Sequence, residues 1–158
     1  MSARAAWRLE SLGFSRIYRY VSGKADWAAS GLPIEGKQVT AARAGTLARR
    51  DVPTCHLADR LGDVQARVRA AGQNECVVVN DKGIVLGRLG RSAWEADPET
   101  VAETVMESGP TTLRPNTSRE AILRRMQKGK TDSLLVTTSD GDLMGILNRS
   151  DVEEREVT

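Results

Sequence analysis

The chain has 158 residues, of which 40% are hydrophobic and 28% charged, enough for one globular domain or for two small units that share a core. Its net charge of +2 at pH 7 is too small to indicate binding to nucleic acid or to an anionic membrane. No apolar run approaches the roughly 20 residues of a membrane-spanning helix, and the N-terminus lacks a signal-peptide core. We therefore expect a cytoplasmic protein without membrane contacts.

The first half of the chain, after an aromatic N-terminal part and a polar linker at 37–43, shows local signals for alternating helices and strands. The predicted elements are a helix at 46–50, an extended stretch at 54–56, a helix at 63–71, a hairpin formed by 76–80 and 84–89, and a helix from Ser92. Cys55, His56 and Cys76 have no metal-ligand or redox spacing and are interpreted as ordinary core or near-strand residues.

The second half repeats this order. Asp97, Pro98 and Glu99 predict a helix start, since they combine a capping side chain, a proline at the first helical position and an acid at the positive end of the helix. Further along, Thr117 and Glu120 form a predicted capping box. The remaining predictions are a short strand at 111–113, a helix that ends at Gly129, strands at 134–136 and 143–147 joined by a turn at 139–141, and a final helix from Asp151.

Two segments make the repeat explicit: Gly-Arg-Leu-Gly-Arg-Ser-Ala at 87–93 and Gly-Ile-Leu-Asn-Arg-Ser-Asp at 145–151. The sequence comparison gives an offset of 57 residues up to the central strand and 58 afterwards, which predicts one residue inserted in the hairpin turn. Two similar units in one chain indicate two similar folds packed together. Only the second copy ends on a carboxylate, Asp151, where the first has Ala93.

The element order and the Gly-Ile-Leu-x-Arg-Ser-Asp ending resemble the CBS domain family over about residues 44–156. The resemblance implies an α/β fold of tandem repeats, each helix-strand-helix-strand-strand-helix, that form a pseudo-two-fold pair, the Bateman module. It implies repeats at 44–96 and 97–158, clefts that bind AMP, ATP or S-adenosylmethionine, pairs that dimerise, and regulation of another protein without catalysis.

The resemblance, together with the chemistry of helix starts, also predicts a ligand site. A helix N-terminus suits phosphate, and a carboxylate such as Asp151 can accept both ribose hydroxyls. Asn148 stands where the family usually has threonine or serine. The predicted ligand-binding residues are Thr112, Leu113, Ser133, Leu134, Asn148, Arg149, Ser150 and Asp151. The alternative reading makes Asp151 only a helix cap. The first cleft, with Gly90 and Ala93 at the polar positions, is expected to be empty or to bind differently.

Residues 2–36 resemble the last third of a rhodanese domain, through Trp7, Leu-Gly-Phe at 12–14, Ile-Tyr-Arg-Tyr-Val at 17–21 and the Gly-Leu-Pro at 31–33. In that family a catalytic cysteine precedes this part, and no cysteine precedes Cys55 here. We therefore expect no sulfurtransferase activity, no catalytic residues and no metal. The aromatic side chains are expected to be buried, against the core or a partner subunit.

Taken together, these signals predict a homodimeric regulatory module that binds an adenine nucleotide in one cleft and acts on an unidentified protein. The competing interpretation is a structural dimerisation or docking domain without a nucleotide. The basic residues of two helices would serve it: Arg67 and Arg69, then Arg124, Arg125 and Lys128.

Overall fold

The computed structural model describes residues 2–18, 20–21, 23–29, 31–33 and 42–153. The α-helices are α1 (Ser2–Ser11), α2 (Gly23–Ala29), α3 (Ala44–Leu47), α4 (Leu61–Ala70), α5 (Ala102–Val105), α6 (Arg119–Gly129) and α7 (Arg149–Glu153), with one 3-10 helix at Arg91–Glu95. The strands are β1 (Thr54–Cys55), β2 (Cys76–Val79), β3 (Val85–Leu89), β4 (Glu107–Ser108), β5 (Thr112–Leu113), β6 (Ser133–Thr137) and β7 (Leu143–Asn148).

The strands form two sheets of matching design. The first has the order β1-β2-β3-β4 and the second the order β5-β6-β7. In each, a short strand lies parallel to the central strand, and a hairpin places the third strand antiparallel to it. A single bridge between Arg49 and Ile146 occupies, in the second sheet, the place that β4 has in the first. The predicted fold class, an α/β pair of tandem repeats, is confirmed.

A constant offset of 58 residues relates the two repeats. It takes Thr54 to Thr112 and Val77 to Leu135, as their strand registers show, and it takes α3 to α5. The predicted change of offset, with an inserted residue in the hairpin turn, is therefore wrong. The wrong offset came from the apolar runs of β2 and β6, which match almost equally well when one is shifted by one residue. In the corrected alignment the counterpart of Ser133 is Glu75.

The first helix of each repeat packs against the other repeat. The Ala44 N–H donates to the Thr117 carbonyl at 2.9 Å, and Leu47 is buried among second-repeat side chains. In the same way the Ala102 N–H donates to the Asp59 carbonyl at 2.9 Å, and Ala102 lies in the first-repeat core. Each core is thus completed by the first helix of the other repeat, and the two repeats are interlocked.

A third apolar cluster joins the two sheets at the centre of the pair. It consists of Val77 and Val79 from β2, Leu135 from β6 and Ile146 from β7. The two hairpins meet beside it: the Val85 N–H donates to the Gly141 carbonyl at 3.0 Å, and the Leu143 N–H to the Gly83 carbonyl at 3.1 Å. Burial of this β-branched and leucine surface helps to hold the repeats together.

Three helix-start predictions are wrong in detail. Asp97 caps a turn, because its side chain accepts from the Glu99 N–H at 2.8 Å, and the helix begins only at Ala102. Ser118, and not Thr117, is the N-cap of α6, and it accepts from the Ala121 N–H. The helix predicted from Ser92 is the 3-10 helix Arg91–Glu95. Short polar side chains in consecutive positions made the cap ambiguous by one or more residues.

The N-terminal part contains the helices α1 and α2. Trp7 is 65% exposed, Phe14 60% and Tyr18 88%, so the expectation that they pack on the core of this chain is wrong; burial in a partner subunit stays a prediction. Trp27 is half-buried, and its indole N–H donates to the Pro33 carbonyl at 2.8 Å. Most of the predicted linker at 37–43, and residues 154–158, lie outside the described residues. In the described part, no helix is both long and apolar enough to cross a membrane.

Candidate functional site

A cavity of about 420 Å³ lies between the two repeats. The first repeat contributes Arg88 from β3 to the lining. The second repeat contributes β4 and the residues just before β5, namely Glu107, Pro110 and Thr111. It also contributes the end of α6 and the start of β6: Arg125, Lys128, Gly129, Thr131, Ser133 and Leu134. Its size is within the usual range for small-molecule pockets. Of the predicted site residues, Ser133 and Leu134 line it.

Arg88 is the best-anchored charged side chain of this cavity. It extends from β3, and its Nη2 donates to the Ser133 hydroxyl of the second repeat at 2.7 Å. The same Nη2 lies 2.7 Å from a carboxylate oxygen of Glu75, which forms an ion pair. Both side chains are largely buried, with 23% and 19% of their surfaces exposed. Arg88 therefore connects Glu75 with Ser133, the two residues that the 58-residue offset makes equivalent.

The cavity lining carries more positive than negative charge. Arg88, Arg125 and Lys128 are cations, and Glu107 is the single acid in the lining. The Arg125 guanidinium donates to the Thr112 carbonyl at 3.2 Å, which fixes its position beside β5. Three cations that converge on one small cavity favour an anionic ligand, since guanidinium and ammonium groups are the side chains that bind phosphate and carboxylate.

The predicted residues at the end of β7 lie next to this cavity but do not line it. Asn148 is the direct β-sheet partner of Ser133, so both side chains are on the same face. The Arg149 side chain donates to the Asp132 carboxylate at 3.1 Å and to the Thr131 carbonyl at 3.3 Å. Ser150 is exposed. On the neighbouring strand Thr112 is half-buried and Leu113 is 2% exposed, in the second-repeat core.

The contacts of Asp151 account for a carboxylate at this position without a ligand. One of its carboxylate oxygens accepts from the backbone N–H of Asn148 at 3.3 Å and from the Asn148 side-chain amide at 3.2 Å. A carboxylate on the first turn that bonds back to the residue before the helix is half of a capping box. The same contacts connect Asp151, through Asn148, to Ser133 at the edge of the cavity.

The first repeat differs at the corresponding place. Gly90 has no atom within 4 Å of where a Cβ would be, and Ala93 is 3% exposed within the first-repeat core. A separate groove of about 590 Å³ lies between α4 and the 3-10 helix, lined among others by Arg69, Arg91 and Trp94. In the second repeat the counterpart of Arg91 is Arg149, whose side chain is held by Asp132.

The two cysteines are free and buried. The hydrogen bond with Cys55, and next its burial, raise the pKa of the Cys76 thiol, which therefore stays protonated at neutral pH. Within the described ranges, no group of three or more His, Cys, Asp or Glu side chains has the arrangement of a metal site.

The sequence analysis did not identify Arg88 and Glu107 as cavity residues, and it assigned Arg125 and Lys128 only to the competing docking interpretation. One signal was available: Arg88 is a charged residue inside the strand Val85–Leu89, where its repeat counterpart is Ile146. A charge at an otherwise apolar strand position calls for a partner or a ligand.

Comparison with known proteins places the fold. Residues 101–156 match the model of the CBS domain family. Among solved structures, the ATP complex of the cytosolic domain of the Mg²⁺ channel MgtE is 26% identical, with a TM-score of 0.67 over 72% of this chain and 48% of that one. The CBS domains of a transcriptional regulator from Streptococcus pneumoniae are 23% identical, with a TM-score of 0.65 over 72% of this chain and 98% of that one.

A CBS domain pair/ACT domain protein from Thermotoga maritima is 16% identical, with a TM-score of 0.62 over 72% of this chain and 95% of that one. No curated protein matches the chain. The chain spans about half the length of the MgtE cytosolic domain. These findings support a CBS module. The rhodanese resemblance of residues 2–36 stays a prediction.

Proposed function

We propose that this chain is a regulatory CBS module that binds an adenosine-containing ligand, such as AMP, ATP or S-adenosylmethionine, and modulates a partner protein. The observation that carries the proposal is the cavity between the repeats, in which Arg88, Arg125 and Lys128 converge. The similar MgtE domain was solved in complex with ATP, which supports a nucleotide as the ligand.

The chemistry of the surrounding residues suits the parts of a nucleotide. The three cations offer charge-assisted hydrogen bonds to phosphate oxygens. Asn148 and Asp151 lie one cross-strand step away and offer polar groups to ribose hydroxyls. Thr112, Leu113, Ser133 and Leu134 provide the strand edges for the base. Arg149 and Ser150 complete the proposed site at the start of α7. No residue of this site is proposed as catalytic, and the module regulates by binding.

A thermal-unfolding panel with AMP, ADP, ATP, S-adenosylmethionine and NADH tests the proposal. A ligand at 100 times its dissociation constant stabilises the folded state by about 2.7 kcal/mol, which is readily measured. Lys128→Gln should weaken binding of the stabilising nucleotide. Arg124→Gln removes one positive charge from the same helix outside the cavity, and should not. Absence of stabilisation by every member of the panel would reject the proposal.

The second candidate is a dimerisation or docking domain without a nucleotide. The exposure of Trp7, Phe14 and Tyr18 in the N-terminal part favours it, because large apolar surfaces on soluble proteins commonly mark interaction sites. The two candidates differ in the thermal panel and agree in predicting a homodimer.

A further inference from the structure

The pair Glu75–Arg88 is incompletely satisfied for a largely buried ion pair. The Glu75 oxygen is 2.7 Å from Arg88 Nη2 but has no partner with hydrogen-bond geometry in the described part of the chain. Arg88 Nε is also buried and has no hydrogen-bond partner there. Buried polar groups are almost always paired, so an unpaired donor on an arginine that lines a cavity indicates that another acceptor belongs beside it.

We propose that Glu75 is an internal competitor for the anionic ligand: it holds Arg88 in the empty cavity, and a ligand phosphate takes the guanidinium from it. This inference rests on the proposed function and specifies how the same site is regulated. Arg88 lines the cavity, whereas Glu75 lies behind it, outside the lining. The Arg88 guanidinium contacts Glu75 and also lines the cavity, so that both anions can bind it.

The exchange follows from the donor count of arginine. A guanidinium has five N–H donors in one plane and binds two oxygens of a phosphate side by side. In the structure Nη2 donates to the Ser133 hydroxyl and is paired with the Glu75 carboxylate. When a phosphate binds the Arg88 guanidinium and draws it toward the cavity, the largely buried Glu75 carboxylate loses its positively charged partner. That loss opposes binding, so Glu75 lowers the affinity of the module for its ligand.

The exchange also connects the ligand to the packing of the two repeats. Arg88 belongs to the first repeat, and its hydrogen bond to Ser133 crosses to the second. Its β-sheet partner is Glu107 of β4, which belongs to the second repeat. A ligand that repositions Arg88 therefore acts directly on the contact between the repeats, at the centre of the pair.

A double-mutant cycle on the full chain tests this proposal by calorimetry with inorganic pyrophosphate, and with ATP on the same preparations. Glu75→Gln should tighten binding about fivefold to tenfold, and Arg88→Gln should weaken it about tenfold, as expected for charge-assisted contacts. In the Arg88→Gln background, Glu75→Gln should change affinity by less than about twofold, because the two act as a unit. If Arg88→Gln does not fold, Arg88→Met, which keeps the apolar part of the side chain and removes the charge, takes its place.

Glu107→Gln is the matched control. It also removes one negative charge, here from the cavity lining. Among the described residues, Arg88 forms an ion pair with Glu75 and none with Glu107. Equal tightening in Glu75→Gln and Glu107→Gln would show a general charge effect and overturn the proposal. Unchanged ATP binding in the Arg88 variants would overturn it while the proposed function stands. If the unaltered chain binds neither ATP nor pyrophosphate, the proposed function fails and this inference with it.

Discussion

Asp151 shows how one residue can satisfy two interpretations. Its carboxylate accepts hydrogen bonds from the backbone and side chain of Asn148, as a capping residue does. Asn148 in turn pairs with Ser133, which lines the cavity. The ending Asp151 in one repeat and Ala93 in the other was visible in the sequence. The bond to Asn148 was not, because a sequence contains no hydrogen-bond geometry.

Asp151→Ala should therefore lower stability even without a ligand. Loss of a capping carboxylate costs about 0.5–2 kcal/mol, measurable by urea unfolding. We also expect weaker nucleotide binding, with Asp151→Asn milder in both respects because its amide oxygen still accepts. Full stability of Asp151→Ala together with lost binding would show that the carboxylate serves the ligand alone.

Asp59 predicts how stability responds to acid. Its slight burial alone would raise its pKa, but the hydrogen bonds from the His56 N–H and the Arg67 guanidinium hold that pKa below its ordinary value of 3.8. A pKa lowered by folding stabilises the folded state above the unfolded pKa, and this contribution disappears as the pH falls through the folded value.

Asp59→Asn should accordingly lose about 0.5–1 kcal/mol at pH 7, since exposed ion pairs contribute little, and the difference from the unaltered chain should vanish well below pH 3.8. Urea unfolding at several pH values measures this. Asp140→Asn, in the exposed hairpin turn, is the control. A difference that stays constant with pH would assign the effect of Asp59→Asn to something other than its charge.

At the scale of elements, the first helix of each repeat completes the core of the other repeat. The hairpins, the long helices and the strands other than β4 were predictable, since apolar runs, turn glycines and helical spacing are local signals. The strand β4 (Glu107–Ser108) was not predicted, because both of its residues are exposed and polar. The packing of α3 in the second core and of α5 in the first could not be predicted. A four-residue helix has little periodicity, and the residues it packs against lie far away in the sequence. Gly87 in β3 and Gly145 in β7 occupy equivalent positions of the two repeats, but different atoms surround them.

Gly145→Ala should destabilise the chain more than Gly87→Ala. A Cβ at Gly145 would overlap the carbonyl oxygen of Arg49, the residue that bridges to Ile146. At Gly87 it would chiefly meet the side chain of Met106, which can move. We expect a cost of about 1–3 kcal/mol for Gly145→Ala and less than about 1 kcal/mol for Gly87→Ala. Thermal unfolding compares the two variants. Equal costs would indicate that the pairing of Arg49 with Ile146 contributes little.

At the scale of the whole molecule, the exposed aromatic residues of the N-terminal part argue for a second chain. Trp7, Phe14 and Tyr18 are largely exposed, and a partner chain that covers them would remove their apolar surface from water. We predict a homodimer of about twice the 17.2 kDa chain, dissociated by the joint change of Trp7 and Phe14 to serine. Light scattering that gives a monomer at all micromolar concentrations would reject this prediction.

The central claim is that the cavity between the repeats binds the nucleotide. Backbone amide chemical shifts recorded while AMP or ATP is added test it most directly. We predict one saturable site per chain, with the largest changes at Arg88, Thr111, Ser133 and Asn148. The groove around Gln73 and Asn74 should stay unchanged. Absence of changes at millimolar nucleotide, or changes confined to that groove, would contradict the claim.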